Sequence, residues 1–200
     1  MVTTQAAMVD PLIERLRDAV RLRDIPAITE RIKIELETFI PEEGLRLPQH
    51  FRTPLPDHYA RRLLYRDPEL EFTAIVMTWG PSQCTALHDH AGIWCVEGVV
   101  EGEMEVHRYE LIEEKEPEVF RFVARGKAHA CAGSAGALIP PFEHHVLANP
   151  RPDRVALTLH VYGGDMDHCS VFEPIDPVDP IGPSGGGLYR RHRHALEYTA

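Results

Sequence analysis

The chain has 200 residues, 44% of them hydrophobic, and a formal net charge of −10 at pH 7. That length suits one domain with a sizeable core, and the acidic balance argues against non-specific binding to nucleic acid or anionic lipid. No apolar run approaches the roughly 20 residues of a membrane-spanning helix. The N-terminus lacks a basic stretch followed by a long apolar one, so no secretory signal is expected. Cys84, Cys95, Cys131 and Cys169 form no CxxC pair. They are expected to be free thiols in a cytoplasmic protein. Twelve histidines are many for this length and raise the expectation of a metal site.

In chain order, residues 10–40 predict two helices. "DPLIERLRDAV" offers Asp10 as N-cap and Pro11 at the first helical position, with Leu12, Leu16 and Val20 on one face. After a break at Asp24–Pro26, Ile28, Ile32, Ile34, Leu36 and Ile40 predict a second amphipathic helix that Pro41 stops. From about residue 58 the pattern becomes short β-rich runs, among them "FTAIVMTW", "WCVEGVV", "VFRFVAR" and "RVALTLHVY", punctuated by Gly, Pro, Asn and Asp. Many short strands without intervening helices predict a sandwich or barrel. From Pro174 the chain is rich in Pro and Gly, then basic at "RRHRH" (190–194). This reads as an irregular wrap with a solvated end. One domain is therefore expected over 1–200: outer helices in 1–45, a barrel in 55–172 and a tail in 173–200.

"LHDHAGIWCVEG" carries the strongest chemical signal. On a strand, residues i and i+2 share a face, so His88 and His90 present two imidazoles together with Asp89 opposite. A third ligand must come from elsewhere. The candidate is "PPFEHHVLANP" (140–150), where His145 precedes Asn149 by four residues and His144 points the other way. Imidazole suits iron and zinc alike, so residue type leaves the metal open. In "TLHVY", Thr158, His160 and Tyr162 alternate with Leu157, Leu159 and Val161. A polar row facing inward must bond internally, which predicts a Thr158–His160–Tyr162 relay. The "AG" at 91–92 offers a turn that lets Cys95 face the interior from the next strand. His107 and His129 read as surface residues.

Together these segments resemble the two motifs of the cupin barrel, a double-stranded β-helix or jelly roll. In many cupins a glutamate follows the first histidine pair and completes the metal site. Here Cys95 lies near that place, seven residues after His88 and seven before Gly102. This resembles one branch, the thiol dioxygenases of the cysteine dioxygenase family. "YAR" at 59–61, "WG" at 79–80 and "TLHVY" at 158–162 agree with it, threonine standing where that family has serine.

The resemblance covers about residues 55–172 and implies a mainly β cupin fold with the N-terminal helices packed outside. It implies Fe(II) on His88, His90 and His145, and Arg61 with Tyr59 on the substrate carboxylate. It also implies Tyr162, His160 and Thr158 beside the metal, and a possible Cys95–Tyr162 thioether. The expected reaction adds both atoms of O₂ to the sulfur of a small carboxylated thiol. L-cysteine comes first, with 3-mercaptopropionate and mercaptosuccinate as alternatives, the last needing a second cation such as Arg62 or His168. Phe142 is expected to reshape the pocket. The expected partners are thus the thiol and O₂, in a monomer or small homo-oligomer. A non-catalytic metal-binding sensor is the alternative of another class. Cupin isomerases and carbon–carbon-cleaving dioxygenases commonly use the carboxylate ligand whose place Cys95 takes.

Overall fold

The computed structural model describes residues 9–175 and 186–200. Among these residues two helices, α1 (Asp10–Val20) and α2 (Ile25–Glu42), precede a 3₁₀ turn (Gln49–Arg52). Eleven strands follow: β1 (Ala60–Arg66), β2 (Thr73–Trp79), β3 (Leu87–His88), β4 (Cys95–Glu101), β5 (Glu103–Glu116), β6 (Val119–Cys131), β7 (Ala135–Leu138), β8 (His145–Ala148), β9 (Ala156–Tyr162), β10 (His168–Pro174) and β11 (Gly186–Ala195). One sheet runs β1-β2-β9-β4-β7. The other six strands, ordered β10-β11-β6-β5-β8-β3, close on themselves through the β3–β10 pairing. This is the expected mainly β cupin architecture with helices outside.

The helices cover the outer face of the first sheet. Leu36 and Ile40 of α2 pack over Gly98, where an added Cβ would lie 3.1 Å from Leu36 Cδ1 and 3.2 Å from Ile40 Cδ1. Leu157, Leu159 and Val161 join the same cluster as Leu12, Leu16, Ile32 and Leu36. Burying such side chains contributes about 1.5–3 kcal/mol each. Thr158, His160 and Tyr162 consequently take the other face of β9 and point into the barrel. Both faces of this strand are buried, so its polar row is interior. Arg17 of α1 ties the helices to the barrel through Asp67 and Glu69.

Several details depart from the sequence reading. The first helix begins at Asp10 with Val9 as its cap and no side-chain cap bond. The true cap is Asp24 of α2, whose carboxylate accepts from Ala27 N at 3.1 Å. Pro41 lies inside the last turn of α2, and the helix ends beyond it, where Gly44 at φ +72° turns the chain. Gly44 N and Glu43 N both donate to Phe39 O, satisfying a terminal carbonyl. Ile34 stays 47% exposed.

The tail is the larger difference. Residues 186–195 form β11, which pairs with both β10 and β6 and buries Tyr189 completely. The apolar pair Leu188 and Tyr189 was obscured in the sequence by the charged run that follows. The Pro-rich stretch 176–185 lies outside the described residues. His107 is buried beside Glu105, and only His129 of that pair is exposed.

Candidate metal centre and active site

His88 on β3 and His145 on β8 are register partners across the second sheet. Their ring centroids lie 4.5 Å apart. His90 is not on the strand, which ends at His88. It stands in a turn in which Ala91 and Gly92 take φ of 53° and 82° and Ile93 N returns to His90 O at 3.1 Å. Asp89 holds this turn by accepting from Ala91 N and Ser170 N. The expected shared strand face is therefore replaced by a braced turn, with the same outcome for the rings. His90 lies 5.5 Å from His88 and 5.1 Å from His145, centroid to centroid. One ligand atom from each of the three falls within 4.8 Å of the others.

The rings are oriented from behind. His88 Nδ1 meets Ala86 O at 3.0 Å, and His145 Nδ1 meets Glu143 O at 2.7 Å. Each backbone acceptor holds the ring proton on Nδ1 and leaves Nε2 facing the cluster. Burial, with neighbouring imidazoles adding to it, drops His88 to a pKa of about 3 and His90 well below its usual value. These rings are neutral, the form that binds a metal. His90 Nδ1 and Nε2, His145 Nε2 and Glu97 Oε1 are buried without a hydrogen-bond partner among the described residues. Four orphaned atoms in one apolar interior fit a metal ion, and the three imidazoles suit iron.

Opposite them, the first sheet sets a second row by register. Cys95 faces Tyr162, Glu97 faces His160 and Val99 faces Thr158 across β4 and β9. Trp79 Nε1 donates to Thr158 Oγ1 at 2.9 Å, Thr158 meets His160 Nε2 at 2.7 Å, and His160 Nδ1 meets Tyr162 OH at 3.4 Å. The indole is a donor only, so Thr158 spends a lone pair on it. The threonine proton is then satisfied by His160 Nε2. That order assigns the ring proton to Nδ1, which faces both the tyrosine oxygen and Glu97 Oε1, and leaves the phenol free to donate. Burial, reinforced by Cys95 and Glu97, pushes Tyr162 well above its usual pKa, so it stays protonated. Burial does the same to the Cys95 thiol. Gly163 follows directly, and a Cβ there would sit 2.2 Å from Trp94 Nε1. Only glycine lets Trp94 close over this end of β9.

A cavity of about 290 Å³ opens in front of His88 and Tyr162, bounded also by Tyr59, Arg61, Met77 and Cys169. Tyr59 stacks on Trp79 at 4.6 Å. Arg61 is 5% exposed and donates from Nη2 to Met166 O at 2.9 Å and from Nη1 to Glu197 O at 3.3 Å. Its backbone is paired with Thr199, so the C-terminal residues brace it. Arg62 points away, to Thr78 Oγ1 at 3.3 Å. His168 is bonded to Asp167. Neither borders the cavity, whereas His194 of β11 does. Phe142 is 79% exposed and does not shape the pocket. Asn149 braces a loop through Gly80 O and Arg154 O.

Sequence reasoning missed two carboxylates. Glu143 accepts from His90 N at 3.0 Å, and burial raises it to a pKa of about 7. Glu97 lies 3.3 Å from His145 Nε2 and 3.2 Å from His160 Nδ1. Burial pushes its carboxyl up, but His145 and His160 more than offset this and hold it well below the usual range. The missed signal for Glu97 was parity: it stands two residues after Cys95 on one strand.

No helix among the described residues is long and apolar enough to cross a membrane. Among solved structures, the chain is similar to TT1209 from Thermus thermophilus, at 20% identity and a TM-score of 0.42, over 58% of this chain and 93% of that one. It is also similar to a Klebsiella pneumoniae protein described as having a double-stranded β-helix domain. That match is 16% identical, with a TM-score of 0.43, over 71% of this chain and 93% of that one. The family model for cysteine dioxygenase type I matches residues 49–174, which hold all three clustered histidines, Arg61 and the β9 row. That match spans more than half of the chain and runs from the 3₁₀ turn through β10, so the chain belongs to the cysteine dioxygenase type I family of cupin proteins.

Proposed function

We propose that the protein oxidises a small thiol bearing a carboxylate to its sulfinate, with L-cysteine the first substrate to test and 3-mercaptopropionate and mercaptosuccinate sharing its two handles. The reaction is R–SH plus O₂ giving R–SO₂H. Both oxygen atoms go to sulfur, which loses four electrons to O₂, and no other reductant enters. Iron(II), held by His88, His90 and His145, supplies the redox chemistry that joins sulfur to O₂.

The residues of the chain do the rest. Arg61 receives the carboxylate: two of its N–H groups are committed to Met166 O and Glu197 O, and the residue borders the cavity with further N–H groups to offer. The protonated Tyr162 donates a hydrogen bond to the bound thiol, its oxygen positioned by His160 and, behind it, Thr158 and Trp79. Tyr59 and Met77 wall the space and exclude water. The observation that supports this reading is the arrangement of one cavity bordered by a buried arginine, a buried phenol and His88, whose ring clusters with those of His90 and His145. A sensor has little use for a buried relay that ends in that phenol.

The test is direct. Protein loaded anaerobically with Fe(II) is expected to consume one O₂ per thiol and to release sulfinate. No uptake with any carboxylated thiol would leave a metal-binding sensor as the better reading.

Cys95 and Tyr162 are cross-strand neighbours, which supports a thioether between them. Sγ bonds to a ring carbon, each partner loses one hydrogen, and O₂ is the oxidant. Partly cross-linked protein is expected to run as two bands on a denaturing gel, and Cys95→Ala as one. A single unchanged band in both proteins counts against the bond.

A further inference from the structure

A second cavity, of about 340 Å³, lies between the two sheets. Thr158 and Glu97 border it, whereas Tyr162, at the other end of the relay, borders the cavity in front of His88. Its volume is that of a small-molecule site. Val99, Met104, Leu138 and Leu147 give it an aliphatic wall.

The polar lining falls into two groups. His129 is bonded to Glu103 at 2.6 Å, Ser134 Oγ accepts from Cys131 N at 3.2 Å, and the Thr158 hydroxyl is committed to Trp79 and His160. Arg108 and Glu97 keep free atoms. Arg108 is an exposed residue of the lining and forms no ion pair or hydrogen bond among the described residues. Its neighbours on the β5–β6 hairpin are paired: Glu105 with Lys127, Glu110 with Arg125 and Glu113 with Arg121. Glu97 turns Oε1 to His145 and His160, and that atom is buried. Its Oε2 is not buried and accepts no hydrogen bond from the described residues.

Two opposite charges therefore share one cavity without pairing. Arg108 stands on β5 and Glu97 on β4, in facing sheets. A wholly apolar occupant would strip water from both and satisfy neither. We propose that this cavity is a second ligand site, which takes an α-amino acid with an aliphatic side chain, its carboxylate on Arg108 and its ammonium on Glu97.

The chemistry of the three parts agrees. A guanidinium binds a carboxylate through parallel charge-assisted bonds. An ammonium offers three donors to a carboxylate that has a free oxygen. An α-carbon carries both charged groups and leaves one substituent for the wall of Val99, Met104, Leu138 and Leu147. The site is distinct from the cavity in front of His88 and does not depend on thiol oxidation. A ligand there lies behind Thr158, and so behind the residues that position Tyr162.

The experiment is calorimetric titration of the Fe(II)-loaded full chain, kept anaerobic, with L-leucine, which has no thiol to oxidise. Saturable binding with a Kd at or below about 1 mM is expected. 4-Methylpentanoate lacks the amine and 3-methylbutylamine lacks the carboxylate. Each is expected to bind about tenfold more weakly or worse. Arg108→Gln removes the charge at an exposed position and is expected to weaken leucine by about tenfold or more. Gly136→Val fills the space. Gly136 is the register partner of Glu97 across β4 and β7, and an added Cβ there meets nothing within 4 Å. Valine suits a strand, so this variant is expected to fold and to lose leucine binding. Thermal unfolding checks both variants, and either one alone decides the question. Arg61→Lys is expected to bind leucine as the wild type does, because Arg61 borders only the other of these two cavities.

No saturable binding of L-leucine, L-valine or L-methionine overturns the site. Leucine binding that falls in Arg61→Lys and not in Arg108→Gln places the ligand in the thiol cavity and overturns it equally. 4-Methylpentanoate binding as tightly as leucine removes Glu97 from recognition, and the amino-acid assignment with it.

Discussion

His145→Ala is expected to abolish O₂ uptake, to below about 1% of wild type, and to lower Fe(II) affinity by more than about 100-fold. Losing a residue that only orients a ligand costs 10–100-fold, and losing a ligand itself exceeds that. His145 is completely buried, in register with His88, and held by Glu143 O in the orientation that aims Nε2 at the cluster. No neighbouring side chain can take its place, because the next histidine faces the other way. His144 packs against Phe122 and Phe172, with ring centroids 5.0 and 5.5 Å away, on the far side of β8. His144→Ala is therefore expected to keep its iron and to lose stability by about 2–4 kcal/mol through the cavity it leaves. Iron content after gel filtration and urea unfolding separate the two variants. Equal iron content in both would remove His145 from the centre.

Arg61→Lys is expected to raise KM for a carboxylated thiol by about 10–100-fold with kcat changed far less. A fall in affinity of that size corresponds to about 1.4–2.7 kcal/mol, the worth of charge-assisted hydrogen bonds that the lysine cannot make in parallel. Lysine keeps the charge but is a point donor on a flexible stem. It also cannot reach Met166 O and Glu197 O together while presenting further N–H groups to a ligand. Because the C-terminal residues lean on Arg61, a structural effect has to be told from a lost clamp. Cysteamine, a thiol without a carboxylate, makes that distinction. Its KM is expected to stay within about threefold between wild type and variant, and an equal rise for both thiols would assign Arg61 to bracing the tail.

Much of this site was legible from residue order. The alternation at 157–162 placed Thr158, His160 and Tyr162 on one face of a strand, because side chains alternate along any strand whatever surrounds it. The pairing of His88 and His90 was right in outcome and wrong in cause. The rings converge through a turn braced by Asp89, which depends on Ser170 from a distant strand.

Local pattern could not reveal β11. Its sequence is dominated by Gly, Arg and His, and what makes it a strand is a vacant edge on both β10 and β6. The exposure of Phe142 and the burial of His107 were hidden for the same reason, since burial depends on what packs above a residue. Glu97 is the sharpest case. Its parity with Cys95 was readable, but its meaning was not, because His145 and His160 lie 48 and 63 positions away.

The amino-acid sequence by itself determined the β-rich body, the outer helices, the three histidines and the polar row of β9. All follow from short-range periodicity and residue chemistry. The tertiary structure alone decided which carboxylate shares the interior with the imidazoles, which arginine meets the cavity and which segment closes the barrel. Those are distances between residues far apart in the chain, set by strand register and sheet closure, and a one-dimensional pattern carries no term for them.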